Sequence, residues 1–394
     1  MTIKPDFAEK IYWQAVQQGK ISGKKAVIIY LKDSLDKKLS QLSSTFPDTV
    51  FHSIAVKSQA HPLVLEHIVS RGFGLEAASF GEVLLAKDAG ASNDRIVFDS
   101  PVKTWEEIDK CHREYPGITM NANSLQELER YPNDFSGKIG LRINPMHKSD
   151  APGIFNLSSQ SSKFGVPINK YDEILKSCLH YQQISGLHVH IGSRIRDFSK
   201  NIKAVKDIKQ LADHINNERQ KNGIYTTIDF IDIGGGIDFS SDDPQLSMDE
   251  FVRQLKSIEG FFENYSVITE YGNFIHQTNS FVVSDIEYVV NNDVKEPSLV
   301  FIHVGADLFV RKVYSNLKVD YPVHAFHTDQ RVVKQHNDYR IVGPLCFEGD
   351  ILFDRVTLPE IKQGDKLLIL NTGSNTLSMW SRHCNRKEPE FLFV

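Results

Sequence analysis

The sequence predicts an α/β chain: a (β/α)8 TIM barrel with a second, antiparallel β domain. Three observations carry this. Between about residues 45 and 275, eight strand-like apolar runs alternate with amphipathic helical patterns. That span is close to the roughly 250 residues of an ordinary eight-unit barrel. Beyond about residue 275 the helical patterns stop, and β-rich runs joined by turn residues take over.

The barrel strands are expected at 49–56 (TVFHSIAV), 74–78 (GLEAA), 95–99 (RIVFD), 117–122 (GITMNA), 138–143 (KIGLRI), 184–191 (ISGLHVHI), 227–233 (TIDFIDI) and 266–270 (SVITE). A doubly wound open sheet is the competing arrangement, because strand counts from a single sequence shift by one or two. Helices are expected in PLVLEHIVSRG, starting at Pro62, in EEIDKCHREY and in NIKAVKDIKQLADHINNERQ. Ser79 with Glu82, and Ser124 with Glu127, have the spacing of capping boxes. In the second domain, strands are expected in SFVVSDIEYVV, SLVFIHV, YRIVG, DILFDRVTL and KLLIL. There is no internal repeat and no low-complexity tract.

Composition narrows the function classes. A net charge of −5, with 41% hydrophobic and 24% charged residues, describes an ordinary soluble globular chain. No block of Lys and Arg points to nucleic acid. The start MTIKPDFAEKIYW lacks a signal peptide's apolar core, and no apolar run nears the roughly 20 residues of a membrane span. Cys111, Cys178, Cys346 and Cys384 are scattered, without the spacing of a zinc or redox motif. The expectation is a reduced, cytoplasmic protein with no metal, acting on a small molecule.

Chemistry in such a barrel sits at the C-terminal strand ends. There the chain places Lys57, Glu76, Asp99, Asn121 and Asn123, Arg142 and Asn144, His190 and Ser193, Gly234 to Gly236, and Glu270. Each has an ordinary explanation alone: a snorkelling lysine, a satisfied core histidine, a turn. Together they make one kind of site. A desolvated lysine forms Schiff bases. The glycines of IDIGGG let backbone N–H groups approach a phosphate, and Ser193 adds a hydroxyl. The His190 ring can stack on a heteroaromatic cofactor, and the Glu270 carboxylate can keep a pyridine nitrogen protonated. These parts describe a pyridoxal 5′-phosphate site.

On these motifs the chain resembles the fold type III pyridoxal-phosphate decarboxylases, the diaminopimelate and ornithine decarboxylase group with the alanine racemase-like fold. AVKSQAHP is similar to the family's Schiff-base lysine motif, and GLEAASFGEVLLAKDAG to the segment after it. LRINP, SSKFG, GLHVHIGS, IDIGGGI and GPLCFEGD follow in the family's order. The resemblance implies a barrel over 31–274 and a β domain made of 1–30 and 275–394. It implies that Lys57 carries the cofactor with Glu76 beside it, that His190 stacks on the ring, and that Ser193 and Gly234–Gly236 bind the phosphate. Glu270 would pair with the pyridine nitrogen. Cys346 would reach in from the second subunit of a head-to-tail homodimer as a catalytic proton donor, with Lys163 and Asp350 as a cross-subunit ion pair. Arg311 and Tyr314 loosely match its substrate-carboxylate segment.

Two departures concern the phosphate. The family's Glu-Pro-Gly-Arg is here Glu270-Tyr271-Gly272-Asn273, and its Ala-Gly-Ala-Tyr is Thr372-Gly373-Ser374-Asn375, leaving Asn375 as the cofactor contact. A third concerns substrate. Where the diaminopimelate and ornithine enzymes have an acid after the cysteine, this chain has Phe347, read as a buried phenyl that cannot pair with an ammonium. The resulting expectation is a carboxy-lyase of siderophore biosynthesis, acting on a citryl-conjugated ornithine or similar diamino acid. The alternatives are a diaminopimelate, ornithine or lysine decarboxylase, an amino-acid racemase, and a non-catalytic regulatory homologue.

Overall fold

Short β-branched and apolar runs become strands, and the longer amphipathic runs between them become helices, as period two and period 3.6 require. The computed structural model describes residues 3–21, 23, 25–151, 155–239, 243–291, 296–315, 319, 321–329, 331 and 333–394. Met1 and Thr2, at the head of the expected 1–30 segment, lie outside the described residues. In chain order the elements are α1 (Pro5–Gln17), β1 (Ala26–Tyr30), α2 (Lys32–Thr45), β2 (Phe51–Ala55), α3 (Pro62–Ser70), β3 (Gly74–Ala77), α4 (Phe80–Asp88) and β4 (Ile96–Phe98). Then come α5 (Trp105–Glu114), β5 (Thr119–Ala122), α6 (Leu125–Leu128), β6 (Lys138–Asn144), β7 (Val166–Pro167), α7 (Tyr171–His180) and β8 (Ile184–His188). They are followed by α8 (Ser199–Lys221), β9 (Phe230–Asp232), α9 (Pro244–Lys256) and β10 (Ser266–Thr269). The remaining strands are β11 (Ser280–Val290), β12 (Ser298–Ile302), β13 (Val323–Phe326), β14 (His336–Val342), β15 (Ile351–Pro359), β16 (Lys366–Leu370) and β17 (Glu390–Phe393). They fall into two compact units, Lys38–Phe274 and Met1–Lys37 with Ile275–Val394.

In the first unit, β2, β3, β4, β5, β6, β8, β9 and β10 pair in parallel in that order. Pairing of β10 with β2 and of β5 with β6 leaves no edge, so the sheet is a closed eight-stranded barrel. The open-sheet alternative is excluded. All eight expected strands form, seven of them shorter than expected and β6 one residue longer, and the two-residue β7 adds a bridge beside β6. Small residues make room inside. A Cβ on Gly186 would sit 2.1 Å from the Phe230 ring, and one on Gly140 would sit 2.1 Å from Asn121 Oδ1.

The helices follow the expected pattern with one correction. Ser79 and Ser124 do cap α4 and α6, accepting the N–H of Glu82 and Glu127. The glutamates, however, reach past the serine to the N–H of Ala78 and Asn123, one residue earlier than a capping box requires. The reciprocal box is Thr104 with Glu107 at α5. On α8, the fully buried Arg219 donates to the carbonyls of Cys178 and Ile184, tying that helix to α7 and β8. Among the described residues no helix is long and apolar enough to cross a membrane.

The second unit is an eight-stranded sheet ordered β13-β16-β11-β12-β14-β15, with β1 on β11 and β17 on β1. Its pairings are antiparallel except β1 with β17 and β12 with β14, which are parallel. Alternation divides its residues between two cores. Val27, Ile29, Phe281, Val283, Leu368 and Leu370 pack with Ala8, Tyr12 and Ala15 of α1. Ile28, Val282, Ile286, Leu367 and Ile369 pack on the other face with Val300, Ile302 and Ile341.

One buried contact makes the barrel pH-sensitive. His52 on β2 lies 2.8 Å from the Thr269 hydroxyl on β10. Burial, helped by Arg95, lowers its imidazole to about 4. The unfolded ring takes a proton near 6.5, so this contribution is complete above 6.5 and is lost as pH falls toward 4. The slope is at most about 1.4 kcal/mol per pH unit. Urea midpoints should drop between pH 6.5 and 4.5, and His52→Gln should flatten that drop by up to one proton. Equal slopes in the two proteins would remove His52 from this account.

Candidate active site

Eight parallel strands deliver their C-terminal side chains to one rim, and the polar residues there form one connected charge network. Lys57 sits on a single 3-10 turn (Val56–Ser58) after β2, before Pro62 starts α3. Its Nζ donates to both Glu76 oxygens, at 2.6 and 2.5 Å. Glu76 is fully buried on β3, while about half of the Lys57 side chain (48%) is accessible. Burial opposes the lysine's charge, but the carboxylates of Glu76 and Glu270 hold it up to about 12. Burial pushes the Glu76 carboxyl up, partly offset by Lys57.

Next round the barrel, Asp99 follows β4 and accepts from Arg142 of β6 at 2.7 Å. Despite burial, Arg142 and His188 hold Asp99 well below the usual carboxylate range. His188, fully buried at the end of β8, is ringed by acids. It lies 3.2 Å from Asp232, 3.5 Å from Asp99 and 4.0 Å from Glu270. Burial resists its charge, yet these acids raise its imidazole well above the usual range, so His188 is a cation at neutral pH. Asp99, His188 and Glu270 have the ligand types of a metal site within 4.8 Å of one another. Arg142 and charged His188 already supply the positive charge there.

His190 takes the opposite state two residues on. Its Nδ1 accepts the Gly235 N–H at 3.1 Å, which places the ring proton on Nε2. Burial, with Arg142, Lys57 and His188 nearby, pushes its pKa well below 6.5. Glu270, just beyond β10, has Oε2 3.9 Å from His190 Nδ1, while its buried Oε1 has no hydrogen-bond partner among the described residues. Burial, with Asp232 close by, raises its carboxyl well above the usual range.

The glycine run is packed against its neighbours. A Cβ on Gly235 would lie 2.2 Å from Glu270 O, and one on Gly236 would lie 1.8 Å from Gly192 O and 3.2 Å from Ser193 Cα. Gly234 and Gly236 also adopt φ of 64° and 86°, the region that favours glycine. Among the described residues, the N–H groups of Gly236 and Ile237 have no acceptor. The rim thus offers a primary amine, a neutral flat ring, a carboxyl with a spare oxygen and backbone donors. Lys57, Glu76, His190, Ser193, Gly234–Gly236 and Glu270 all converge on it. Lys163, in the same unit, has its ammonium 5.0 Å from the centre of the Phe164 ring, a ring that also lies 4.6 Å from the Arg142 guanidinium.

The other expected residues lie in the sheet unit. Cys346 is exposed on the loop between β14 and β15. Asp350 anchors that loop from below: it is 3% exposed and accepts the N–H groups of Ala306 and Leu345 at 2.6 and 2.8 Å. Phe347 requires a correction. At the tip of this anchored loop it is 39% exposed, and its ring stacks on Tyr314 at 5.5 Å and 20°. The Tyr314 hydroxyl bonds His383 Nδ1 at 2.7 Å. Arg311 lies one turn before Tyr314 on a four-residue helix, Val310–Val313. Asn375 is buried with φ 55° and donates to the Ser374 hydroxyl.

Sequence reasoning missed His188 and Asp232 altogether, and it named Asp99 and Arg142 without a role. Their signal was period two: in LHVHI and FIDI, a polar residue at an inward position of a buried strand is costly unless paired.

Comparison with known proteins shows the family. Residues 32–277 match the pyridoxal-binding domain of the pyridoxal-dependent decarboxylases, and residues 274–373 match their C-terminal sheet domain. The chain is 28% identical over 375 residues to diaminopimelate decarboxylase of Aquifex aeolicus, covering 91% of this chain and 84% of that protein. It is 26% identical over 357 residues to that of Methanothermobacter thermautotrophicus, covering 86% and 79%. In fold it is similar to Helicobacter pylori diaminopimelate decarboxylase complexed with L-lysine, at TM-score 0.82, 22% identity and 97% and 94% coverage. It is also similar to Vibrio vulnificus lysine/ornithine decarboxylase complexed with putrescine, at TM-score 0.81, 18% identity and 100% and 99% coverage. An amine-bearing turn, a spare carboxyl oxygen and a glycine cradle on one barrel rim, within two matched domains, place this chain among the pyridoxal-dependent decarboxylases, carboxy-lyases whose cofactor is pyridoxal 5′-phosphate.

Proposed function

We propose that this enzyme removes the α-carboxylate of a diamino acid of the diaminopimelate, lysine or ornithine kind. The observation that carries the reading is the rim itself, with Lys57, neutral His190 and the spare Glu270 oxygen on one network. The names of the relatives supply the substrate class. In this reading 31–274 is the catalytic barrel, and 1–30 with 275–394 is the domain that presents Cys346.

The bound cofactor supplies an electron sink for the pair left on the α-carbon as carbon dioxide departs. The chain's own residues do the rest. Lys57 is the amine that holds the aldehyde, and Glu76, its carboxyl raised by burial, takes the proton that Nζ sheds. His190 stays uncharged because its Nδ1 is occupied, which suits a ring lying flat on a heteroaromatic face. Glu270 keeps a proton available at Oε1 for the ring nitrogen, which favours decarboxylation over the racemase alternative. Ser193 and Gly234–Gly236 hold the phosphate, with Asn375 as a further contact. The Cys346 thiol, from the second subunit of a homodimer, returns a proton to the α-carbon. Lys163 and Asp350 pair across that dimer.

The exposed Phe347–Tyr314 stack supports the diamino reading. The face of an accessible ring attracts an ammonium by about 0.5–2 kcal/mol, so a phenyl after the cysteine does not by itself exclude a free amine. A second reading, the citryl-conjugated substrate of siderophore biosynthesis, keeps one observation in its favour. No carboxylate stands at position 347 to pair with a distal ammonium.

Borohydride reduction of the purified holoenzyme should fix a pyridoxyl group on the peptide containing Lys57. Label on another lysine, or none with excess cofactor, would move the reading to the non-catalytic homologue.

Mixing inactive Lys57→Ala with inactive Cys346→Ala subunits should restore activity, because a hybrid dimer carries one intact site. A mixture that exchanges subunits and stays inactive would place both residues in one chain's site.

Carbon dioxide release should be measured from meso-diaminopimelate, lysine and ornithine beside their citryl conjugates. A free diamino acid should turn over with an efficiency of roughly 10⁴ M⁻¹s⁻¹ or more. Phe347→Ala should raise its KM several-fold, in keeping with one lost ring contact. Turnover confined to the citryl conjugates would favour the second reading.

A further inference from the structure

We propose that Lys38 supplies the positive charge that binds the phosphate end of the cofactor. The proposal rests on the reading that Gly234–Gly236 form the phosphate cradle. A phosphate ester brings about two negative charges to that cradle. Two of the loops that form it, Ile233–Phe239 after β9 and Glu270–Phe274 after β10, contain no Lys or Arg, and their charged residues, Asp238 and Glu270, are both acids; in the Ser193 loop the Arg194 guanidinium lies over the Phe155 ring, 5.9 Å from its centre. The unpaired N–H groups of Gly236 and Ile237 give direction but no net charge.

Lys38, on α2, lies against the second loop, whose Phe274 ring packs on Phe239 of the first with ring centres 5.3 Å apart. Its Nζ is 4.1 Å from the ring centre of Phe274, which follows Asn273. Asp238, two residues past Gly236, is the carboxylate that acts on its charge. The other buried cations of the barrel are satisfied by oxygen. Lys103 donates to Ser100 O, Asn121 O and Glu127 Oε1, Arg142 to Asp99, and Arg219 to backbone carbonyls. Lys38 is only 9% exposed, and among the described residues no oxygen bonds its ammonium. Burial lowers that ammonium to about 8 against the pull of Asp238. An ammonium kept in such a place is poised to gain from an incoming dianion, because most of its desolvation is already in place.

The test compares two ligands that differ only in the phosphate. Cofactor-free full-length protein is titrated with pyridoxal 5′-phosphate and, separately, with pyridoxal, reading the visible absorbance of the bound aldehyde. Wild type should prefer the phosphate ester. Lys38→Met should shrink that preference by about tenfold or more while leaving the Kd for pyridoxal unchanged, and Lys38→Arg should restore most of it. Methionine fills a similar volume without charge, so urea stability of the cofactor-free variant should be equal or higher. An unchanged preference in Lys38→Met overturns the proposal and leaves the cradle reading standing. No preference in wild type overturns both. A marked loss of stability in Lys38→Met would assign the residue to the fold and overturn the proposal as well.

Discussion

The charged interior at the barrel's C-terminal rim is the constraint on which the site depends. Four buried acids, Glu76, Asp99, Asp232 and Glu270, face Lys57, Arg142 and His188 at contacts of 2.5 to 4.0 Å. Isolated, each buried ion would cost several kcal/mol. Linked, they hold one another in place, and the strands that carry them are fixed by a barrel without edges. No single member can be read apart from the rest. The charge on His188 exists because buried carboxylates surround it, and the raised carboxyl of Glu270 comes first from burial and then from Asp232 nearby.

This network splits two histidines, one ending β8 and one just beyond it, into opposite states. His188 and His190 sit two residues apart, so a strand's alternation would send them to the same side. His188 ends its strand in a nest of carboxylates and is charged. His190 lies beyond the strand, where a backbone N–H from Gly235 fills Nδ1 and three cations crowd the ring. Two copies of one side chain thereby serve two purposes, a structural cation and a neutral flat surface. The glycine run is part of the same device: Gly235 both passes within contact of the Glu270 backbone and supplies the bond that fixes the His190 tautomer.

The barrel was legible because each strand is a short apolar run bounded by turn residues, and because eight such runs recur at βα spacing. Lys57, Glu76, His190 and Glu270 stood out as polar residues at strand ends. What one-dimensional pattern could not give was partner geometry. Ser79 and Ser124 have capping-box spacing, yet their glutamates reach one residue further, a difference decided by local backbone direction. Phe347 reads as buried because phenyl usually is, yet it is exposed on a loop that Asp350 pins from beneath. His188 and Asp232 were overlooked because in a run such as HVHI the eye follows the apolar residues. Lys38 gave no signal at all, since a lysine on a helix reads as solvated until packing buries it.

The pairing of β1 with β11 has a consequence for how the protein is made. The barrel is one continuous stretch of chain, while β1 is synthesised before it and its partner after it. During synthesis the Ile28 side chain and both edges of β1 stay without cover until the whole barrel has emerged. Closing so distant a pair is entropically slow, so the sheet unit matures last and its nascent first strand is the part most in need of shelter from other chains on the same message.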